Sequence, residues 1–470
     1  MSTHDNETIT ASDCSWILSN SIRILTMQTG FALLEAGYVS RKNTANIMVK
    51  NVVDVCIGGL VYWSVGFALS FGEPSGWFCG WGDFFVSAAP KRRRSLGTFY
   101  TRYVFQFSFA TAGTTIVSGA VAERMKLSAY VCFSAVNILI YVFPASWVWA
   151  RNGFLRRLGF HDFAGSCVVH LTAGASAAVA AAMLGPRIGR FAPGGKQHYQ
   201  MSSPVSALTG TFMLWWAWIA FNCGSTFGIE RGLWKIAAKQ HNLTLFCGFS
   251  FKKHCPFHAA VNTLNGSLGG AATGILWGLV ATRGRVYDIG FMITGVLGGL
   301  VGITGGCDVY DPGSSILMGV LGASAACATN LFMEWAKIDD PVGAVSVHFT
   351  AAFIGTIGIG LFGRSVRGER DGLLIAGDWR QLATQLGGVV VVTLWSTSCT
   401  LLLFTIFKWT IGGARMSVED EWRGADAVEH HVRTSDTFAM MFERAFATRA
   451  LNNRRCTLAD VDNVIATRHS

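Results

Sequence analysis

The sequence predicts an all-α polytopic membrane protein with eleven transmembrane helices. Three observations predict it. Only 14% of the 470 residues are charged and 51% are hydrophobic, whereas soluble domains carry about 25% charged residues. The apolar residues come in unbroken runs of about 20, enough for a helix to cross a bilayer. They do not alternate over about 10 residues, as the strands of a membrane β-barrel would.

The runs lie near 14–34, 46–71, 98–119, 126–147, 163–184, 203–222, 257–281, 286–303, 314–336, 343–363 and 384–411. They define one membrane domain, 14–411, between a short acidic N-terminus (1–13) and a polar tail (412–470). The N-terminus has neither the basic stretch nor the cleavage site of a signal peptide. An odd number of spans puts the termini on opposite sides. Basic residues occur in loops on both sides: Arg41, Lys42, Arg124, Lys126, Arg187, Arg190 and Lys196 against Lys91 to Arg94, Arg151, Arg156 and Arg157. Loop charge therefore does not orient the chain. Two glycosylation sequons, Asn6-Glu-Thr and Asn242-Leu-Thr, fall on one side and, if used, place the N-terminus outside.

The net charge of +10 sits in loops and tail, without interleaved aromatics. It reads as membrane-surface charge and not as a nucleic-acid footprint. The twelve cysteines lack zinc-type spacing; Cys247 and Cys255 share a loop and are candidates for a disulfide. Glycine pairs such as Gly298-Gly299 and Gly305-Gly306 follow no strand, so they read as close helix packing and not as nucleotide loops. Arg23 lies inside the first span, where it either snorkels or pairs with another subunit.

The fifth span carries the first candidate. Phe163 to Leu184 contains no Asp, Glu, Lys or Arg, but it contains His170. A polar ring at that depth must face protein or a water-filled path. The pattern returns in the tenth span. Asp162 precedes His170 by eight residues and Asp340 precedes His348 by eight, and Val-His-Leu-Thr-Ala matches Val-His-Phe-Thr-Ala. Such a repeat predicts two halves whose histidines converge near the midplane. Each neutral imidazole offers one donor and one acceptor. The pair can share a proton, orient a small polar solute or relay a proton. A metal site is the poorer reading, because no third ligand of matching character is visible.

Aromatics form the second group: Phe109, Phe221 at the end of Leu-Trp-Trp-Ala-Trp-Ile-Ala-Phe, and Trp149 at the end of the fourth span. Phenyl rings in a narrow passage exclude water and hydrated ions. An indole face beside a hydroxyl such as Ser225 suits a small cation, with cation–π attraction of ~1–2 kcal/mol.

These motifs resemble those of the Amt/Mep/Rh ammonium transporter family, Amt-type eukaryotic members above all. The resemblance rests on Asp-Phe-Ala-Gly-Ser-Cys-Val-Val-His170 leading to Gly-Pro-Arg-Ile-Gly-Arg190, on Gly-Ala-Val-Ala-Glu-Arg124, and on Phe221-Asn-Cys-Gly-Ser225. It also rests on Asp339-Asp-Pro with His348, on Lys42-Asn-Thr-Ala-Asn-Ile-Met, and on the tail from Ser417 to Asp426 with His430. It implies two five-helix inverted repeats plus an eleventh helix, a homotrimer with one pore per subunit, an outside N-terminus and a plasma-membrane location. It implies an ammonium site at Trp149 and Ser225, gated by Phe109 and Phe221 above the twin histidines His170 and His348. Asp162 would support that site without touching the ion. The tail would be cytoplasmic, touch the neighbouring subunit and tune activity. Ammonium, or methylammonium as its analogue, would be the partner, with no cofactor and no enzymatic activity.

Departures from the pattern accompany the match. One extra residue separates Trp149 from Asp162, which makes Trp147 the fallback. Gly343 replaces a common acid, Ala425 replaces a leucine, and the 226–256 loop is long and basic. Two alternatives to a transporter stay open: an ammonium sensor with little flux, and an Rh-like channel for neutral ammonia or carbon dioxide.

Overall fold

The structure, a computed structural model, describes residues 9–87, 96–193, 199–230, 258–364 and 371–432. Among the described residues, eleven long helices follow one another: α1 (Ala11–Tyr38), α2 (Arg41–Phe71), α3 (Leu96–Ala120), α4 (Leu127–Trp149), α5 (Ser166–Leu184) and α6 (Pro204–Gly224). Then come α7 (His258–Ala281), α8 (Ile289–Thr304), α9 (Pro312–Trp335), α10 (Val345–Phe362) and α11 (Arg380–Thr410). The described residues contain no β-strand. Each helix falls on one expected span.

Seven of the eleven contain a stretch long and apolar enough to cross a bilayer, and α8 is apolar but short. The other three, α1, α3 and α7, carry polar residues such as Asn20, Glu35, Thr111, Ser118, Asn262 and Thr263, all buried. They turn those side chains inward and leave apolar residues such as Leu18, Ile22 and Leu268 outside. This inverts a soluble protein's pattern, as lipid requires. Arg23 is exposed on the outer face of α1.

Helix starts are set by side chains. Thr10 and Asp13 close a capping box on α1, Ser203 caps α6, Asp288 caps α8 and Asp311 caps α9. The start of α2 is capped from far away. The Asp426 carboxylate accepts the N–H groups of Ala45 (3.1 Å) and Asn46 (2.7 Å). Asp426 belongs to α13 (Ala425–His430), which follows α12 (Val418–Arg423). Lys42 Nζ donates to the carbonyls of Glu421 (3.1 Å) and Trp422 (2.7 Å), and Glu421 accepts Ile188 N–H at 2.8 Å. The first part of the tail is thereby tied to the helix ends of its own chain. Cys247, Cys255, Asn6 and Asn242 lie outside the described residues.

Candidate functional site

Two helices, α5 and α10, begin alike. The Asp162 carboxylate accepts N–H bonds from Gly165 (2.8 Å), Cys167 (2.9 Å) and Val168 (2.8 Å). Asp340 accepts the N–H of Val345 at 2.7 Å. Both helices open with a widened π-type turn, Ser166–Leu171 and Val345–Thr350. Such turns swell a helix locally and often mark functional positions. His170 and His348 each sit in that turn.

The rings meet. His170 Nδ1 and His348 Nδ1 are 3.1 Å apart, with ring centroids at 5.2 Å. One Nδ1 must carry the hydrogen and the other must accept it. A neutral pair therefore presents one accepting Nε2 and one donating Nε2–H. His170 Nε2 is buried and has no partner among the described residues. Glycine makes the approach possible. Gly174 lies one turn past His170, and a Cβ there would collide with the backbone of His348 and Phe349.

A column of rings runs from this pair to one face of the protein. Phe221 is 5.9 Å from His170. Phe109 stacks on Phe221 at 3.9 Å and 14°, and Trp149 stands edge-on to Phe109 at 5.8 Å and 78°. The Trp149 indole donates to the Asp162 carbonyl at 2.7 Å. Asp162 thus fixes Trp149 with its backbone while its carboxylate caps α5. Trp147 instead packs among Phe78, Phe154 and Trp395, away from Phe109. Of the two candidates, Trp149 stands at the column. Ser225 follows α6, and its hydroxyl donates to the Phe221 carbonyl at 2.9 Å. With its hydrogen committed, its oxygen is left as an acceptor.

Sequence reasoning missed two members of the column. Trp218 stacks on His170 at 4.9 Å and 16°, held by a 2.6 Å bond from its indole to Thr304 Oγ1. Its place three residues before Phe221, on the same helix face, was a usable signal. Phe31 lies 6.1 Å from His348 on the other side of the pair; nothing in its local sequence marks it.

At the tail-bearing face, Arg187 binds the Glu123 carboxylate and, at 2.8 Å, Asp339. Burial alone would raise both carboxyls. The Arg187 guanidinium beside them, together with their hydrogen bonds and the other nearby cations, outweighs it, lowering Glu123 and holding Asp339 at about 2. Gly343 takes φ +74°, a conformation that disfavours a residue with a Cβ.

The sequence profile described as Ammonium Transporter Family matches residues 15–434. The chain is 38% identical over 454 residues to putative ammonium transporter 3 of Caenorhabditis elegans, covering 93% of this chain and 62% of that one. It is 34% identical to putative ammonium transporter sll1017 of Synechocystis, over 88% of this chain and 87% of the other. Among solved structures it superposes on one described as a sensor Amt protein with TM-score 0.77 and 30% identity, covering 89% of this chain and 98% of that one. With that breadth of match over the membrane helices, this chain belongs to the ammonium transporter family.

Proposed function

We propose that the protein moves ammonium across the membrane as ammonia plus a separately handled proton. The observation that carries this reading is the column Trp149, Phe109, Phe221, His170 and His348, in which successive ring centroids lie no more than 5.9 Å apart. Ammonium docks against the Trp149 indole and the Ser225 oxygen. The stacked phenyl pair then blocks a bare ion, whose transfer into a dry passage costs several kcal/mol or more. Deprotonation removes that cost. Ammonia passes the rings and meets the twin histidines, which offer one acceptor and one donor in sequence. On this reading the Trp149 end is extracellular and the tail is cytoplasmic, and three copies assemble with one passage each.

The test is a jump in ammonium concentration over proteoliposomes, reading both current and internal pH. Replacing His170 and His348 together with Ala is expected to abolish selective flux, by at least about tenfold. Unchanged flux and selectivity in a folded double variant would remove the histidines from the path.

A further inference from the structure

Beside the inner end of the column lies a second polar cluster that the transport reading does not use. It contains three ionisable residues within two membrane helices. Glu35 of α1 and Lys50 and Asp54 of α2 are 2%, 0% and 0% exposed. Such residues are costly in a membrane and are functional candidates by default.

The Glu35 carboxylate accepts from Asn51 Nδ2 (2.7 Å) and Ser118 Oγ (2.6 Å). Asp54 Oδ2 accepts from Tyr130 OH (2.7 Å) and lies 3.4 Å from Thr115 Oγ1. Thr115 and Ser118 sit one turn apart on α3, so the two carboxylates flank one run of hydroxyls. Lys50 Nζ donates to the Met125 carbonyl at 3.0 Å and lies 5.6 Å from the Tyr130 ring centre. It makes no direct ion pair with either carboxylate among the described residues. All direct partners of Glu35 and Asp54 are therefore neutral. Beyond them, Arg124 is spent on the carbonyls of Gly185, Ala122 and Asp339, and Glu429 on Asn46 and Leu127.

Charge arithmetic points to a missing proton. Two carboxylates and one ammonium sum to −1, and one proton neutralises the set. The cluster also has polar atoms able to hold a water. Asn51 Oδ1 is buried without a hydrogen-bond partner among the described residues, and Asp54 Oδ1 and Ser134 Oγ, near each other, make no bond of full geometry. Buried polar atoms in that state are where bridging waters sit. Position completes the argument. Phe31 stands against His348, and Glu35 is one turn further along the same face of α1. Glu35 lies in the last turn of that helix, which ends at Tyr38 on the tail-bearing face.

We propose that Glu35 and Asp54 form a proton-holding pair that takes the proton released by ammonium and passes it to the tail-bearing face. The proposal rests on the transport reading above. The balance is simple. An N–H bond of ammonium breaks, leaving ammonia to pass the histidines. Water at the docking site takes the proton, which on this proposal reaches the histidine pair by a route separate from the phenyl stack and then forms an O–H bond on the carboxylate. That bond then breaks, returning the carboxylate and delivering the proton to water near Tyr38.

The test uses the purified protein in proteoliposomes, with an ammonium jump read as current and as internal pH. Wild type is expected to give current with little alkalinisation of the lumen. Glu35→Gln, which keeps size and hydrogen bonding, is expected to cut the current at least tenfold while the lumen alkalinises, because ammonia then enters without its proton. Asp54→Asn is expected to act in the same direction. Glu35→Asp, which restores a carboxyl, is expected to recover part of the current. Current in a folded Glu35→Gln protein within twofold of wild type would overturn the proposal. So would loss of current with no alkalinisation appearing in that protein, the mark of a merely structural role. A wild type that alkalinises without current would overturn this proposal yet leave ammonia transport standing, whereas absence of both signals would defeat the transport reading itself.

Discussion

Gly174 and His348 set the tightest constraint at the residue scale. The histidine pair needs its two helix backbones in contact, and only a residue without a Cβ permits that at position 174. Gly174→Ala is expected to push α10 away, at a cost of about 1–3 kcal/mol in stability. The rings would then lose their 3.1 Å contact. Flux is expected to fall by roughly tenfold or more, since displacements near 1 Å cost that much at a reacting centre. Uptake and thermal unfolding measured on the same preparation check both effects; a variant with wild-type flux would show that ring contact is dispensable. Asp162 carries a similar lesson. Its carboxylate caps α5 and its carbonyl fixes Trp149, so one residue sets the position of His170 and of the indole together.

Helix ends decide how the parts are held at the scale of elements. The tail caps α2 through Asp426. Removing a cap costs about 1 kcal/mol, so Asp426→Ala is expected to loosen both α13 and the start of α2. Limited proteolysis near residues 412–432 should become faster, with flux through the rest of the protein measured in parallel; an unchanged cleavage rate would mean that Lys42 and Glu421 hold the tail alone. The same scale explains what could be read from the chain. All eleven helices were legible because lipid demands long apolar runs, and even the polar α1, α3 and α7 kept enough of them. His170 and His348 were legible because a ring that can ionise is rare at that depth and occurred twice in one context. Phe31 and Trp218 were not singled out, because an aromatic residue in an apolar helix looks like ordinary packing until its neighbour is known. Glu35, Lys50 and Asp54 escaped notice for another reason. They are spread over two spans, and only folding brings them to one place.

Across the whole molecule, a charge network, buried at Arg187, ties the loops of the tail-bearing face. Arg187 joins Glu123 after α3 to Asp339 before α10, and Arg190 reaches Glu334 at the end of α9 at 2.6 Å. Asp339 is held at about 2 against an ordinary 3.8. A carboxyl lowered on folding stabilises above its unfolded value, and that contribution disappears as pH falls through the folded one. Roughly 2 kcal/mol is expected to vanish between about pH 4 and pH 2. The melting temperature of detergent-purified protein should drop across that window, and Asp339→Asn should flatten the drop; equal slopes would place the acid sensitivity elsewhere. The phenyl stack has a consequence for timing on the proposed reading. Phe109 and Phe221 lie 3.9 Å apart and 14° from parallel, so neither turns far without displacing the other. Their motion is one event shared by two side chains, and each event admits about one small molecule. Throughput is then counted in ring swings, and once docking is saturated the swing frequency becomes the ceiling on turnover, however much ammonium waits outside.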